Sequence, residues 1–167
     1  YDSRSNIASV TNATYTVNIY YDLNDRIDHY TRDGKSVYYT YDNNNNIKTI
    51  KYPNNNQIVE YNYDALNRMT SVKDWNNNIT TYTYHTDDRI DRVDYPNSTY
   101  VLYEYDNAGR MIGLKNKRLD GNLISEYSYT LDNAGNHLTE TTNDSFTASQ
   151  LISFANNETI NFPSMSN

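Results

Sequence analysis

EYNYDALNRM, residues 60–69, runs from alternating tyrosines to an aspartate and closes on arginine and methionine. Taken alone, Glu60, Asp64 and Arg68 form a charged cluster of the kind that does chemistry. The rest of the chain argues otherwise, because the pattern returns. With the tyrosine before the aspartate as position zero, copies begin at Tyr1, Tyr21, Tyr41, Tyr63, Tyr84 and Tyr105, at intervals of 20, 20, 22, 21 and 21 residues. Position five is Asn6, Arg26, Asn46, Arg68, Arg89 and Arg110. Position six is Ile7, Ile27, Ile47, Met69, Ile90 and Met111, and position nine is Val10, Tyr30, Ile50, Val72, Val93 and Leu114. Two weaker copies follow, from Leu131 with Asp132 and from Phe154 to Ile160, where Ala155 and Thr159 replace the aspartate and arginine. A fixed period of this length identifies a repeat array, which sets the architecture before any single residue is considered.

Within each copy the residues before position zero alternate. Val17, Ile19 and Tyr21 share one face, as do Val37, Tyr39, Tyr41 and Val59, Tyr61, Tyr63. Thr80, Tyr82, Tyr84, then Val101, Tyr103, Tyr105 and Tyr127, Tyr129, Leu131 continue the series, with polar residues such as Asn18, Thr40, Glu60 and Glu104 between. Period two with one apolar face predicts half-buried strands, and tyrosine, valine and threonine favour them. Turn residues separate the strands: DG at 33–34, PNNN at 53–56, DWNNN at 74–78, PNS at 96–98, LDGN at 119–122 and the stretch after each aspartate. Each copy therefore reads as two strands and two turns. The fold class is all-β, with repeated antiparallel β-hairpins sharing one curled, solenoid-like sheet. Residues 1–140 make the array. Residues 141–167 are a degenerate repeat, a cap or the start of a following segment. The chain opens at position zero, so the strand leading into Tyr1 is missing, as expected for a slice of a longer array.

Composition narrows the partners. The formal net charge of −7 argues against nucleic acid or an anionic membrane surface. There is no cysteine, hence no disulfide and no thiol catalyst. No apolar run reaches the roughly 20 residues of a spanning helix, and no signal peptide is visible. Only 37% of residues are hydrophobic, and 19 residues are tyrosines, a composition suited to thin sheets rather than a deep aliphatic core.

The recurring aspartates Asp22, Asp42, Asp64, Asp106 and Asp132 are expected to fix turns by accepting backbone N–H groups. Arg26, Arg68, Arg89 and Arg110 are expected to balance them or lie over tyrosine rings. A motif copied this often singles out no catalytic pair, so no catalytic residue and no cofactor are expected. His29, His85 and His137 lack metal-ligand spacing, and the Asn-rich loops lack calcium-loop spacing, so no metal is expected. His85, in the aspartate position, is expected to serve the turn through its ring. Ser145, Ser149, Ser153 and Ser164 lie in a polar tail without a nearby histidine. Trp75, the only tryptophan, sits in a turn and is the best candidate for binding a sugar ring. The wider turn at 116–122 is a second candidate contact loop. Sequons begin at residues 12, 78, 97, 143 and 157.

The repeat resembles that of the RHS and tyrosine–aspartate (YD) repeat family, whose signature is similar to Y-D-x-x-G-R-[LIM]. Tyr105, Asp106, Gly109, Arg110 and Met111 match in full. Tyr63, Asp64, Arg68 and Met69 match with Asn67 in the glycine place, Tyr21, Asp22, Arg26 and Ile27 with Asp25 there, and Tyr84, Arg89 and Ile90 with His85 for aspartate. The resemblance covers residues 1 to about 140. It implies a structural role: a sheet spiralling into a hollow β-shell within a large secreted or cell-surface bacterial protein, in some members enclosing a toxin. The implied partners are neighbouring repeats and an encapsulated polypeptide; the alternative is an adhesion module that binds a glycan or receptor through exposed aromatics. The shell-closing motif of bacterial members, similar to P-x-x-x-x-D-P-x-G, is not found in this sequence.

Overall fold

A computed structural model describes residues 1–54 and 57–144. Thirteen strands and no helix occur among them: β1 Ser9–Thr11, β2 Thr16–Tyr21, β3 Ile27–Arg32, β4 Lys35–Tyr41, β5 Ile47–Lys51, β6 Ile58–Tyr63, β7 Met69–Lys73, β8 Ile79–Tyr84, β9 Ile90–Asp94, β10 Thr99–Tyr105, β11 Met111–Arg118, β12 Leu123–Leu131 and β13 His137–Asp144. The chain forms two compact units. In the first, residues 1–97, strands β1 to β9 pair with their chain neighbours in antiparallel sense. In the second, β10 to β13 do the same. The all-β, antiparallel expectation is met. β13 crosses residue 140, where the array was expected to end. The copy at Phe154 and the four tail serines lie outside the described residues.

Register follows the repeat. Position zero faces position six across each hairpin: Tyr21 with Ile27, Tyr41 with Ile47, Tyr63 with Met69, Tyr84 with Ile90 and Tyr105 with Met111. The tyrosine or isoleucine two residues earlier faces position nine, as in Ile19 with Tyr30 and Tyr61 with Val72. Six residues separate zero from the first partner, but the next pair skips position seven. The skipped residue is a β-bulge, present in the hairpins that turn at Asp22, Asp42, Asp64, His85, Asp106 and Asp132. A bulge adds local twist, and here it restores phase so that positions six and nine share the apolar face.

That face is the core, and it is thin. Among the described residues, only Val37, Val59 and Val93 in the first unit, and Tyr100 and Val101 in the second, are buried hydrophobics. The position-zero tyrosines from Tyr21 onward, and the tyrosines two before them, are half-buried. The opposite face is tied by small cross-strand pairs such as Thr40–Thr49 at 2.7 Å, Asn62–Ser71 at 2.9 Å and Thr130–Thr139 at 2.6 Å.

Val93, 4% exposed, should matter most among the core valines. Val93→Ala is expected to cost about 1.5 kcal/mol by loss of two buried carbons. The exposed Val10→Ala should cost less than about 0.5 kcal/mol. Thermal and urea melts of the two variants side by side test this; equal losses would contradict the assigned core.

Candidate functional site

The chemistry-bearing groups gather where each hairpin turns. At Asp64, Oδ1 accepts the N–H groups of Leu66 at 2.9 Å and Arg68 at 3.0 Å. Oδ2 accepts Arg68 Nε at 2.8 Å and Nη2 at 2.7 Å. The backbone closes with Asp64 N–H donating to Arg68 O at 2.9 Å and Asn67 N–H to Asp64 O at 3.0 Å. This is a tight turn followed by one left-handed residue, the three-residue hairpin form. Asp22, Asp42, Asp106 and Asp132 repeat the arrangement, with Asn46 and Asn136 donating in place of arginine at 42 and 132. The expected turn role of these carboxylates is what the geometry shows. Arg68's hydrogen bonds hold the Asp64 carboxyl below its usual range against an opposing desolvation, and Asn46 does the same for Asp42.

Position four must accept the left-handed backbone. It is Ser5, Asp25, Asn45, Asn67, Asp88, Gly109 or Gly135, with φ between 60° and 90° in all seven. Asn67 and Asp25 therefore do the work of the glycine they replace, since asparagine and aspartate tolerate this region.

Adjacent copies are stitched together at the same place. The position-zero phenol donates back to the position-six carbonyl of the preceding copy: Tyr21 to Ile7 at 3.0 Å, Tyr41 to Ile27 at 2.8 Å, Tyr63 to Ile47 at 3.0 Å and Tyr84 to Met69 at 2.6 Å. Position five reaches forward. Arg26 donates to Asn45 Oδ1 at 2.7 Å, Asn46 to Asn67 Oδ1 at 2.9 Å, Arg68 to Asp88 Oδ1 at 2.8 Å and Arg110 to Asp132 O at 2.8 Å. Arg26 and Arg68 also cover the next copy's tyrosine, 4.3 Å from the Tyr41 ring centre and 4.7 Å from that of Tyr84. Arg26 and Arg68 thus hold their own aspartate and lie over a tyrosine at once.

The copy at Tyr84 departs from this in one respect. The backbone turn survives, with His85 N–H donating to Arg89 O at 2.8 Å and Asp88 N–H to His85 O at 3.2 Å. Without an aspartate there, Arg89 pairs with Asp87, while His85 Nε2 stands 3.4 Å from Asp91 Oδ1.

Two features were not foreseen. Asp74 builds the same turn at the opposite end of the strands, accepting Asn76 N–H, Asn78 N–H and Asn78 Nδ2 at 2.8–2.9 Å, with Asn77 left-handed. The signal was there, since Asp74 and Asn78 have the spacing of Asp42 and Asn46. On the polar face Tyr20, His29 and Tyr38 stack, with ring centres 4.2 and 4.8 Å apart. The doubled tyrosines at 20–21 and 38–39 were its signal. Trp75 stands exposed in the Asp74 turn and meets the Tyr52 ring edge-on at 6.0 Å. Residues 118–122 form another such turn, with Gly121 left-handed and Asp120 accepting Asn122 N–H. Among the described residues no group of three or more His, Asp or Glu is placed to hold a metal ion.

The family comparison matches residues 1–163 to the teneurin YD-shell. The chain belongs to the teneurin YD-shell family. Its fold is shared by solved toxin-complex structures. Against the Photorhabdus luminescens Tc holotoxin pore with a mutated TccC3, the TM-score is 0.70 at 15% identity, over 80% of this chain and 8% of that one. Against TcdB2-TccC3-TEV it is 0.67 at 15% identity, over 77% and 8%. Against TcdB2-TccC3 without the hypervariable C-terminal region it is 0.55 at 18% identity, over 81% and 9%. This YD-shell segment thus spans under a tenth of the length of those chains, and no curated protein sequence matches it.

Two predictions test the turn. Asn67→Gly should lower the melting temperature slightly, by loss of the acceptor for Asn44 and Asn46, and Asn67→Ala should lower it further, because alanine disfavours φ near +63°. The carboxylates release protons more readily folded than unfolded, so stability should hold above the unfolded value of about 4 and fall as the pH drops below it. Burial pushes the Tyr63 and Tyr84 phenols up, so stability should also fall as the pH rises through about 10, the unfolded value. Melts across the pH range check both limbs; a flat acid limb would contradict the turn assignment.

Proposed function

We propose that this chain is a length of wall in a β-shell that encloses or carries a polypeptide, in a protein that is secreted or displayed at a cell surface. The observation that carries the reading is the seam. Each recurring aspartate, arginine or asparagine, and position-zero tyrosine whose bonds are described above is engaged within its turn or with the adjoining copy, which suits extension rather than chemistry at one place. Family membership supports the wall, and the toxin-complex likeness supports the fold. The chain is read as non-catalytic: its recurring aspartates are held by neighbours, and among the described residues none of them is set apart as an acid or base.

Enclosure predicts protection. In the full-length parent protein, the segment that follows the repeats should resist added protease while the array is intact. Weakening the seam by Tyr63→Ala with Arg68→Ala should speed its cleavage at least about tenfold, since enclosure fails when neighbouring copies separate. Cleavage at the rate of the isolated segment in the unaltered parent would overturn enclosure. Recovery of the parent solely from the cytoplasm would overturn the placement.

A further inference from the structure

One row of the polar face stacks ring on ring and stops a place short. Tyr20, His29, Tyr38 and Lys51 stand opposite one another in turn across β2, β3, β4 and β5. The three rings lie face to face, with centres 4.2 and 4.8 Å apart and planes at 12° and 28°. That separation is the spacing of neighbouring strands, about 4.8 Å, so each strand supplies one ring to the stack. Asp28 steadies the middle ring, with Oδ2 at 2.6 Å from His29 Nδ1. Tyr38 gives one face to His29 and is 42% exposed. Its other face looks to β5, where the row continues with a lysine in place of a ring.

A hollow of about 510 Å³ opens at that point, lined by Lys35, Ser36, Tyr38, Lys51 and Tyr52 among others. Its size falls within the range of small-molecule pockets. Gly34, also in the lining, is left-handed and has open space where a Cβ would stand, so the turn between β3 and β4 leaves the hollow clear. Two ammonium groups line it, and no carboxylate is among its described lining residues. The acidic groups of the adjoining strands and turn are engaged elsewhere: Asp33 with Arg32 at 3.2 Å, Glu60 with Lys73 at 3.4 Å, and Asp28 with His29. In a chain of net charge −7 this is a local excess of positive charge. Two like charges in one open hollow repel each other until an anion lies between them.

We infer that this hollow binds a small anion built on a flat ring, of the nucleoside monophosphate kind. The ring takes the fourth place in the stack, on the outer face of Tyr38. The phosphate lies between Lys35 and Lys51, the latter swinging aside on its flexible four-carbon stem. Stacking of a base on tyrosine and contact of lysine with phosphate are recurrent means of holding such ligands. A bare anion would leave the Tyr38 face unused, and an uncharged ring would leave the lysines unanswered. A long polyanion is disfavoured by the negative charge of the rest of the chain. A wall role neither needs this hollow nor forbids it, so binding here bears on enclosure in neither direction.

Calorimetry in about 50 mM salt, where charge contacts are weakly screened, compares adenosine 5′-monophosphate with adenosine and with inorganic phosphate. The monophosphate should bind with Kd below about 1 mM, at least about fivefold tighter than either part alone. Lys35→Ala and Lys51→Ala should each weaken it about three- to tenfold. Tyr38→Ala should weaken it about tenfold, while Tyr38→Phe, which keeps the ring, should bind within about twofold of the unaltered chain. Lys48→Ala removes the same charge beside Asp42, outside the hollow, and should change affinity by less than about twofold. No saturable binding of the monophosphate up to about 5 mM, equal affinity for phosphate or adenosine alone, or unaltered affinity in both lysine variants would each overturn the inference.

Discussion

The structure hangs on a carboxylate at the end of a strand. Each recurring aspartate takes two backbone N–H groups on one oxygen and the side chain of position five on the other. That single acceptor set fixes where the chain reverses, and so fixes register. Register then decides which residues face the apolar row, because a slip of one residue would turn the tyrosines outward. The bulge at position seven completes the work by bringing positions six and nine back to the same face. Without these anchors a short hairpin with a thin apolar face would be marginal in water.

Stability in this fold comes from repetition more than depth. Few side chains are fully removed from water, and the phenol is the residue of choice because its two ends have different tasks. The ring covers apolar neighbours while the hydroxyl donates to a backbone carbonyl of the preceding copy. An aliphatic side chain would serve only the first task. This explains a composition poor in leucine and rich in tyrosine, and why the loss of one valine is felt in so thin a layer.

Most of the fold was legible in the sequence because the period is regular and the strand alternation is clean. Positions zero, one, five and six named the turn and its partners. What escaped were substitutions whose effect is conformational. Asn67 and Asp25 look like departures from a glycine, yet their left-handed backbone makes them equivalents. Asp74 escaped because its turn lies out of phase with the repeat, though Asn78 marks it. The stack of Tyr20, His29 and Tyr38 escaped because residues distant in sequence meet only through strand pairing. The Trp75 turn was legible, but its edge-on meeting with Tyr52 was not, because strand pairing brings the two together.

The seam has a direction. Tyr21, Tyr41, Tyr63 and Tyr84 each donate a hydrogen bond to the copy behind, and the inter-copy bonds of Arg26, Asn46, Arg68 and Arg110 reach the copy ahead. Any copy therefore presents one standard front and one standard back. Excising a whole copy from the middle of such a series, or duplicating one, rejoins a front to a back with all partners still matched. Length can then change in steps of one copy by recombination between like segments, with no new interface to invent. A gene of this construction is free to vary the number of copies in its product while the joinery stays the same.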